Sequence, residues 1–443
     1  MRPNFYRRPP WTVQKSPQIV QNIYTRLAQP EFIEQHKTTP TAFTRTRKLP
    51  FQTLCLFLLN LVKGSTQSEL DDFFGVLRQQ DIETRFITAS AFTQARSYLK
   101  HSAFETLNAE FIQQFSQLKI AKDWRGHRLL AVDSSSLRLP EVPALIDYFG
   151  GQDNQRSFAT MARLSTCLDL NSGLTIDAQI APYGAAERDL AARHLNKTQC
   201  GDLLLYDRGY PAFWLFALHN SMKRDFCMRA STEYSPTVKQ FVASESCDAL
   251  IEFTPTQASK LVCIEKELPL NTITLRALKI ALPTGETEVL LTSLLDTKRY
   301  PYEDFFKLYG RRWGIEVDYR FKKNKLDIEN FTGLSVHAVQ QDISAKVLTQ
   351  NIAMAAALIA QEEVTKRYAH RKLTYKVNVS QCLSSMKNLL VKLFVCNDPF
   401  ALFNNYLGML TRTIEAVRPG RSFERTFSRC HVKRFHHNSK RAR

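Results

Sequence analysis

The chain has 443 residues, with 60 Lys and Arg against 42 Asp and Glu, a formal net charge of +18 and a pI of about 9.5. That length predicts more than one core, and 44% hydrophobic with 11% aromatic residues excludes a disordered polycation. The charge is concentrated at the ends. Residues 1–50 hold nine Lys and Arg against two Glu, a net of +7, and residues 418–443 hold nine against one, a net of +8, which leaves +3 for everything between. Basic ends on a nearly balanced body point to a polyanion, either nucleic acid or an anionic membrane surface.

Insertion into a membrane is not expected. The stretches Phe51 to Val62 and Ile352 to Ala360 are shorter than the ~20 apolar residues of a spanning helix, and the Arg-rich, Pro-punctuated N-terminus lacks a signal peptide's apolar core. Nine cysteines (Cys55, Cys167, Cys200, Cys227, Cys247, Cys263, Cys382, Cys396 and Cys430) are scattered singly with no C-x-x-C pair. They read as buried free thiols of a cytosolic protein rather than a disulfide framework or zinc ribbon.

Prolines at 3, 9, 10, 17, 30, 40 and 50 predict short or frayed helices in the first fifty residues. From Phe51 to about Ile120 apolar residues recur at helical spacing, as in Leu70, Phe73, Phe74 and Leu77, and Ala91 to Phe115 reads as one more helix. Residues 1–120 are therefore expected to form a small basic helical domain.

The pattern changes at Leu129. Leu129-Leu130-Ala131-Val132 is a strand-like run that ends at Asp133. Thr166 to Leu170 and Leu174 to Ile180 form a hairpin across Asn171-Ser172-Gly173. Glu187 to Leu195 reads as a helix, Leu203 to Tyr206 as a buried strand ending at Asp207, and Pro211 to Asn220 as a helix. Hairpin first, then alternating strand and helix, predicts a mixed α/β sheet. From Cys227 to Leu295 strand signals return without helices, the clearest pair being Thr274 to Leu282 and Thr287 to Leu294 across Pro283-Thr284-Gly285-Glu286, which suggests a β-rich insertion. After Pro301 the chain reads as helical to about Met409. A basic tail follows, in which Cys430, His431, His436 and His437 more often bind nothing than zinc.

Three carboxylates stand where chemistry would want them. Asp133 and Asp207 end apolar strands, and carboxylates there face the crevice in which α/β sheets bind ligands. Gly209 and Pro211 after Asp207 suit a sharp turn into a helix. Glu316 lies in a helix read as starting near Pro301, where Tyr309, Arg312, Glu316 and Lys323 fall within roughly 60° of one face at ~100° per residue. A carboxylate flanked by two cations and a phenol suits a site that holds both a divalent metal and a phosphate. Two Mg²⁺ ions can activate an attacking oxygen and stabilise a leaving one in phosphodiester transfer. Read singly, each aspartate is more often a turn or cap residue, and the helical stripe is more often a solvated face with Arg312 and Glu316 paired at i,i+4.

The combination resembles a family. Tyr309-x2-Arg312-x3-Glu316-x6-Lys323 matches the YREK signature of the insertion-sequence-four group of bacterial DDE transposases, including the local Arg312-Trp313-Gly314-Ile315-Glu316. Asp133-Ser134-Ser135 and Leu203 through Tyr210 resemble its two aspartate motifs, with Ser134 where many relatives carry glycine, and Glu329-Asn330-Phe331-Thr332-Gly333 also looks familial. The resemblance implies an RNase H-like catalytic domain over residues 121–345, with its β-rich insertion at about 230–300, followed by a helical region at 346–417 and the tail at 418–443. It implies Asp133, Asp207 and Glu316 as catalytic and metal ligands, two Mg²⁺ ions for which Mn²⁺ can stand in, and Tyr309, Arg312 and Lys323 as DNA-binding residues. It further implies cut-and-paste transposition through a hairpin, double-stranded DNA partners (terminal inverted repeats and target), a homodimer on DNA, and a cytoplasmic, nucleoid-associated protein.

Residues 1–120 are the candidate for reading the inverted repeats, and the tail adds non-specific affinity. Trp214 and Trp313 are the chemical candidates for holding a flipped base, although both sit in apolar helical contexts that read as core. Two alternatives remain, a domesticated non-catalytic DNA-binding protein and a metal-dependent DNA nuclease that cleaves without joining. The intact triad counts against the first.

Overall fold

The computed structural model describes residues 11–418 apart from 46, 81–84, 155–156 and 282–286. The turn at 283–286, the first ten residues, and the tail beyond 418 with Cys430 and its three histidines lie outside the described residues. The chain divides into two compact units, one of Met1–Ile120, Leu137–Ala162 and Phe321–Arg443, the other of Ala121–Ser136 and Arg163–Arg320.

The first unit is mainly helical. Its leading helix, Trp11–Leu27, runs 17 residues with Pro17 inside it, longer than the prolines suggested. Ile19, Val20, Ile23, Tyr24 and Leu27 are all buried, and that apolar stripe outweighs the ~3 kcal/mol handicap of an internal proline. The helix expected over 91–115 is two, Ala89–Arg96 and Ser102–Ser116. Between them Leu99 is fully buried and forms a β-bridge with Lys37, a pairing that helical backbone cannot make. Val336–Arg367, 32 residues long, is long and apolar enough to cross a membrane by length and composition. It is the core helix of this unit instead, with most of its residues buried. Its Asp342 and Gln341 are paired with Arg96, an arrangement that suits a protein interior.

The second unit carries most of a nine-stranded sheet. Its strands are β1 (Leu129–Arg138), β2 (Gly151–Asn154), β3 (Ser157–Asp169), β4 (Thr175–Pro182), β5 (Leu203–Tyr206), β6 (Asp225–Ala230), β7 (Asp248–Phe253), β8 (Ile273–Ala281) and β9 (Thr287–Thr292). The order is β2-β3-β1-β5-β6-β9-β8-β7, with β4 paired to β3. β1, β5 and β6 are parallel to one another, while β6-β9-β8-β7 and β2-β3 are antiparallel. This is the mixed α/β sheet the sequence led us to expect, and a hairpin layer followed by parallel strands is the plan of an RNase H-like core. At the β3–β4 turn the Asp169 carboxylate accepts from Asn171 N and Ser172 Oγ at 2.8 and 2.7 Å, and Gly173 takes φ +71°.

The stretch read as all-β differs in two ways. It contains the helices Pro236–Ala243 and Gln257–Glu265, and its strands continue the main sheet outward from β6. The cysteines differ in part as well. All eight described are unpaired, but Cys200 and Cys247 are exposed and only five are buried.

Candidate active site

The register of the parallel strands decides where the aspartates go. Leu129, Leu130 and Ala131 stand beside Leu203, Leu204 and Leu205, an offset of 74. The same offset relates Arg128 to Asp202, whose side chains form a two-pronged ion pair at 3.0 and 2.5 Å, and it relates Asp133 to Asp207. Continued past Ala131, that register puts Asp133 and Asp207 in one row and on one face, and the charge of Asp207 is felt at the Asp133 carboxyl. A slip of one residue would turn Asp207 to the opposite face. β5 and β6 pair with an offset of 22, from Leu203 beside Asp225 to Tyr206 beside Met228, so the next residue in the row is Arg229.

Asp133 does not end its strand. β1 continues to Arg138, there is no turn at Ser134, and the Ser134 amide donates to Asp133 Oδ1 at 2.8 Å. The Asp133 carbonyl accepts from Tyr319 Oη at 2.8 Å. Burial pushes the Asp133 carboxyl up to about 6; the charges of Asp207 and Glu187 add to the rise, and the Ser134 amide and Arg312 oppose it. Beneath it, Ser165 Oγ, His194 and Asp177 form a hydrogen-bonded chain at 3.0 and 2.6 Å. Ser165 and His194 are fully buried, so this Ser-His-Asp series braces the strands and no substrate reaches it.

Asp207 does follow the last residue of β5. Gly209 after it keeps an ordinary backbone with open space around its α-carbon, so the turn does not depend on glycine, and the next helix starts at Phe213 rather than Pro211. Asp207 Oδ1 is 2.7 Å from Arg229 Nη2 and 3.4 Å from the Tyr309 hydroxyl, which also lies 3.2 Å from the Tyr206 carbonyl. Burial pushes the Tyr309 phenol well above its usual range and keeps it a neutral donor.

Tyr309 and Glu316 lie on two helices, Tyr302–Gly310 and Trp313–Asn324, rather than the one expected. At the joint, Arg312 N bonds Tyr309 O and Ile315 N bonds Arg312 O, the three-residue spacing of a 3₁₀ turn. The angular argument for a single face therefore holds only after residue 312. The glycines at 310 and 314 favour such a break, and a Cβ at Gly314 would sit 2.8 Å from Leu170 Cδ2.

Nor is the stripe a solvated face. Arg312 is 4% exposed and Tyr309 is buried. The Arg312–Glu316 pair forms at 2.7 Å through Nη2, but Arg312 Nε and Nη1 are buried with no hydrogen-bond partner among the described residues. Burial works against this guanidinium's charge, and the hydrogen bond to Glu316 with the charges of Asp207 and Glu316 outweighs it and holds the group above its usual range. Arg312 thus acts electrostatically on all three carboxylates.

Lys323, later in the same helix, belongs to the first unit, where burial lowers its ammonium pKa and Glu329 opposes the shift. Of the two tryptophans, Trp214 is core as read, whereas Trp313 is 53% exposed with the Arg312 guanidinium 5.5 Å from its ring centre.

The sequence reading missed Arg229, Glu288 and Tyr319. Tyr319 carried a signal, since 309, 312, 316, 319 and 323 are spaced three, four, three and four. Arg229 depended on a register that no local pattern reveals.

As donors, three carboxylates suit Mg²⁺, a hard cation that takes oxygen ligands. As the side chains stand, no three His, Cys, Asp or Glu among the described residues converge closely enough to hold an ion. Asp207 and Glu316 are turned onto Arg229 and Arg312.

Comparison with known proteins bears on this arrangement. A family described as "Transposase DDE domain" matches residues 124–352. The transposase InsG of insertion sequence element IS4 from Escherichia coli (strain K12) is 23% identical over 363 residues, covering 79% of this chain and 79% of InsG. The protein InsZ of the same organism, also named as a transposase, is 30% identical over 127 residues, 28% of this chain and 42% of its own length. Among solved structures, the piggyBac transposase synaptic complex with hairpin DNA aligns over 91% of this chain and 87% of that one, at 9% identity and a TM-score of 0.44.

Proposed function

The chain belongs to the DDE transposase family, metal-dependent enzymes that cleave DNA and transfer strands, and we propose that it cuts at the ends of an insertion sequence and joins them to target DNA. In this reading Asp133, Asp207 and Glu316 are the ligands of two Mg²⁺ ions, or of Mn²⁺ in their place. Divalent ions held there supply activation of the attacking oxygen and stabilisation of the leaving one. Tyr309, Arg312 and Lys323 grip phosphates beside the scissile bond.

The observation that carries the reading is the unfinished hydrogen bonding of Arg312. A buried guanidinium with two unpartnered donors, beside two aspartates in register, is suited to a phosphate that accepts both. A solvated surface pair would leave no such deficit.

The route we propose is cut-and-paste through a hairpin. Water attacks phosphorus at the element's end and the 3′ oxygen leaves. The freed 3′ hydroxyl attacks a phosphorus of the opposite strand, which closes a hairpin and releases the 3′ oxygen of the flanking DNA. Water attacks the hairpin phosphorus and the element's 3′ oxygen leaves again, and that 3′ hydroxyl attacks a target phosphorus from which the target's 3′ oxygen departs. The exposed ring of Trp313 is suited to stack on a flipped base. Residues 1–120 recognise the terminal inverted repeats, 121–345 carry out catalysis, 346–417 form a helical region, and the tail adds non-specific affinity. The working form is a homodimer on paired ends, in the cytoplasm and associated with the nucleoid through DNA.

A strand-transfer assay tests this, using a pre-cut 3′ hydroxyl end that carries the inverted repeats flanking the coding region. Joining supports the transposase. Cleavage without joining supports a nuclease, and binding alone supports a regulator.

A further inference from the structure

Arg229 sits where the register row of Asp133 and Asp207 reaches β6. Its guanidinium is forked between two carboxylates, with Nη2 2.7 Å from Asp207 Oδ1 and Nη1 2.7 Å from Glu288 Oε1. Glu288 comes from β9. The residue of β9 directly beside Arg229 is Leu290, so Glu288 is the diagonal neighbour on the same face, within reach of a long side chain. Neither carboxylate has the cation to itself.

This fork differs from the structural ion pairs of the sheet. Arg128 takes Asp202 with two prongs, and Arg276 takes Asp248 in the same way. Both give one carboxylate to one arginine. Arg229 instead touches its two partners with one nitrogen each, while its Nε is buried without a partner among the described residues. One of those partners is a carboxylate assigned above to metal, and the other, Glu288, has no role in that assignment. A guanidinium and a divalent cation compete for the same carboxylate oxygen, and the loser needs somewhere to go.

We propose that Arg229 is an internal counter-ion that holds Asp207 until a divalent cation takes that carboxylate, and that Glu288 keeps the released guanidinium. The inference rests on the assignment of Asp207 as a metal ligand. It gives Arg229 and Glu288 positioning roles: Arg229 relieves the repulsion within the Asp133–Asp207 row when no ion is bound, and Glu288 lowers the cost of exchange. No bond is made or broken; one ion pair is exchanged for another.

The test is Mn²⁺ binding to the full chain without DNA, followed by electron paramagnetic resonance of free Mn²⁺ at about 0.15 M salt, where long-range charge effects are screened. Arg229→Gln should tighten Mn²⁺ on the order of fivefold, the scale of one partly exposed ion pair. Glu288→Gln should weaken it, and in the Arg229→Gln background the Glu288→Gln change should have no effect. An Arg229→Gln dissociation constant within twofold of wild type overturns the proposal. So does a Glu288→Gln effect of equal size in both backgrounds, or an Arg229→Gln variant that loses DNA affinity with Mn²⁺ affinity unchanged. If Arg229→Gln does not fold, Glu288→Gln alone decides, because unchanged Mn²⁺ affinity refutes the hand-over.

Asp207→Asn separates the two levels. Mn²⁺ binding unaffected by that change removes the metal-ligand reading and this inference with it. Binding lost in Asp207→Asn but indifferent to Arg229 removes the inference alone.

Discussion

Asp133→Asn should make the protein more stable at neutral pH while abolishing its chemistry. Burial and the neighbouring carboxylates raise the Asp133 pKa from 3.8 to about 6. The folded state therefore binds this proton more tightly than the unfolded state, and between about pH 4 and 6 stability falls as pH rises. The shift of about two units corresponds to at most about 3 kcal/mol, which partial solvent contact reduces to about 1–2 kcal/mol. Asparagine carries no charge to bury, so urea denaturation at pH 7.5 should show the variant more stable by about that amount. The gain should fall by roughly half at pH 5 and be mostly gone at pH 4, where the wild-type carboxyl is protonated in the folded state. Millimolar Mg²⁺ should narrow the gap at pH 7.5, because a cation that binds only the folded carboxylates stabilises the wild type. A variant no more stable than wild type, or a gain independent of pH, would refute the view that Asp133 is held at a cost to folding.

Other changes probe separate parts of the molecule. Asp207→Asn should abolish cleavage in Mg²⁺ with DNA binding nearly intact by mobility shift, and retained cleavage would remove Asp207 from the metal site. Arg312→Ala and Lys323→Ala should each weaken end-complex formation and lower the slope of log affinity against log salt by about 0.9 for every phosphate no longer neutralised; an unchanged slope would show that they neutralise no phosphate. Arg96→Ala should destabilise the first unit by about 3–5 kcal/mol in urea, because Asp342, 3.0 Å away and almost wholly buried, is left without its cation. Losing both partners should cost less, so an Arg96→Ala/Asp342→Ala double variant weaker than Arg96→Ala would contradict that account.

How much was legible depended on whether a residue's role is set by its neighbours in sequence or across the sheet. Leu-Leu-Ala-Val before Asp133 and Leu-Leu-Leu-Tyr before Asp207 are apolar runs of equal length. Equal runs of buried parallel strand, placed side by side, bring the residues that follow into one row. The two helices within 230–300 were marked too, by Ser235 before Pro236 and by Thr256, whose side chains cap Val238 N and Ser259 N. Strand-forming residues around them outweighed those short signals. Arg229 and Glu288 are different. They gain meaning only from the offset of 22 between β5 and β6 and from a diagonal approach to β9, quantities that follow from packing and not from spacing along the chain.

Burial alone does not set the buried arginines of this chain apart, whereas their hydrogen bonding does. Among the described residues Arg96, Arg276 and Arg312 are each less than 5% exposed. Arg96 gives Nε to Gln341, Nη1 to Thr332, and Nη2 to Ala338 O and Asp342. Arg276 gives Nε and Nη2 to Asp248 and Nη1 to the Tyr300 carbonyl. Both guanidiniums use every nitrogen, as a charge taken out of water must if the fold is to gain from it. Arg312 uses one nitrogen of three, on Glu316. Each unmatched buried donor costs on the order of 1–3 kcal/mol, a deficit that packing elsewhere has to offset. Such a deficit fits the phosphate proposed for this site, and the two donors lie beside carboxylates that a cation would neutralise. A phosphate and a divalent ion arriving together would satisfy both at once. The site proposed for phosphate is thus unfinished in charge and in hydrogen bonding, whereas the two fully paired arginines show that the fold can satisfy every nitrogen of a buried guanidinium.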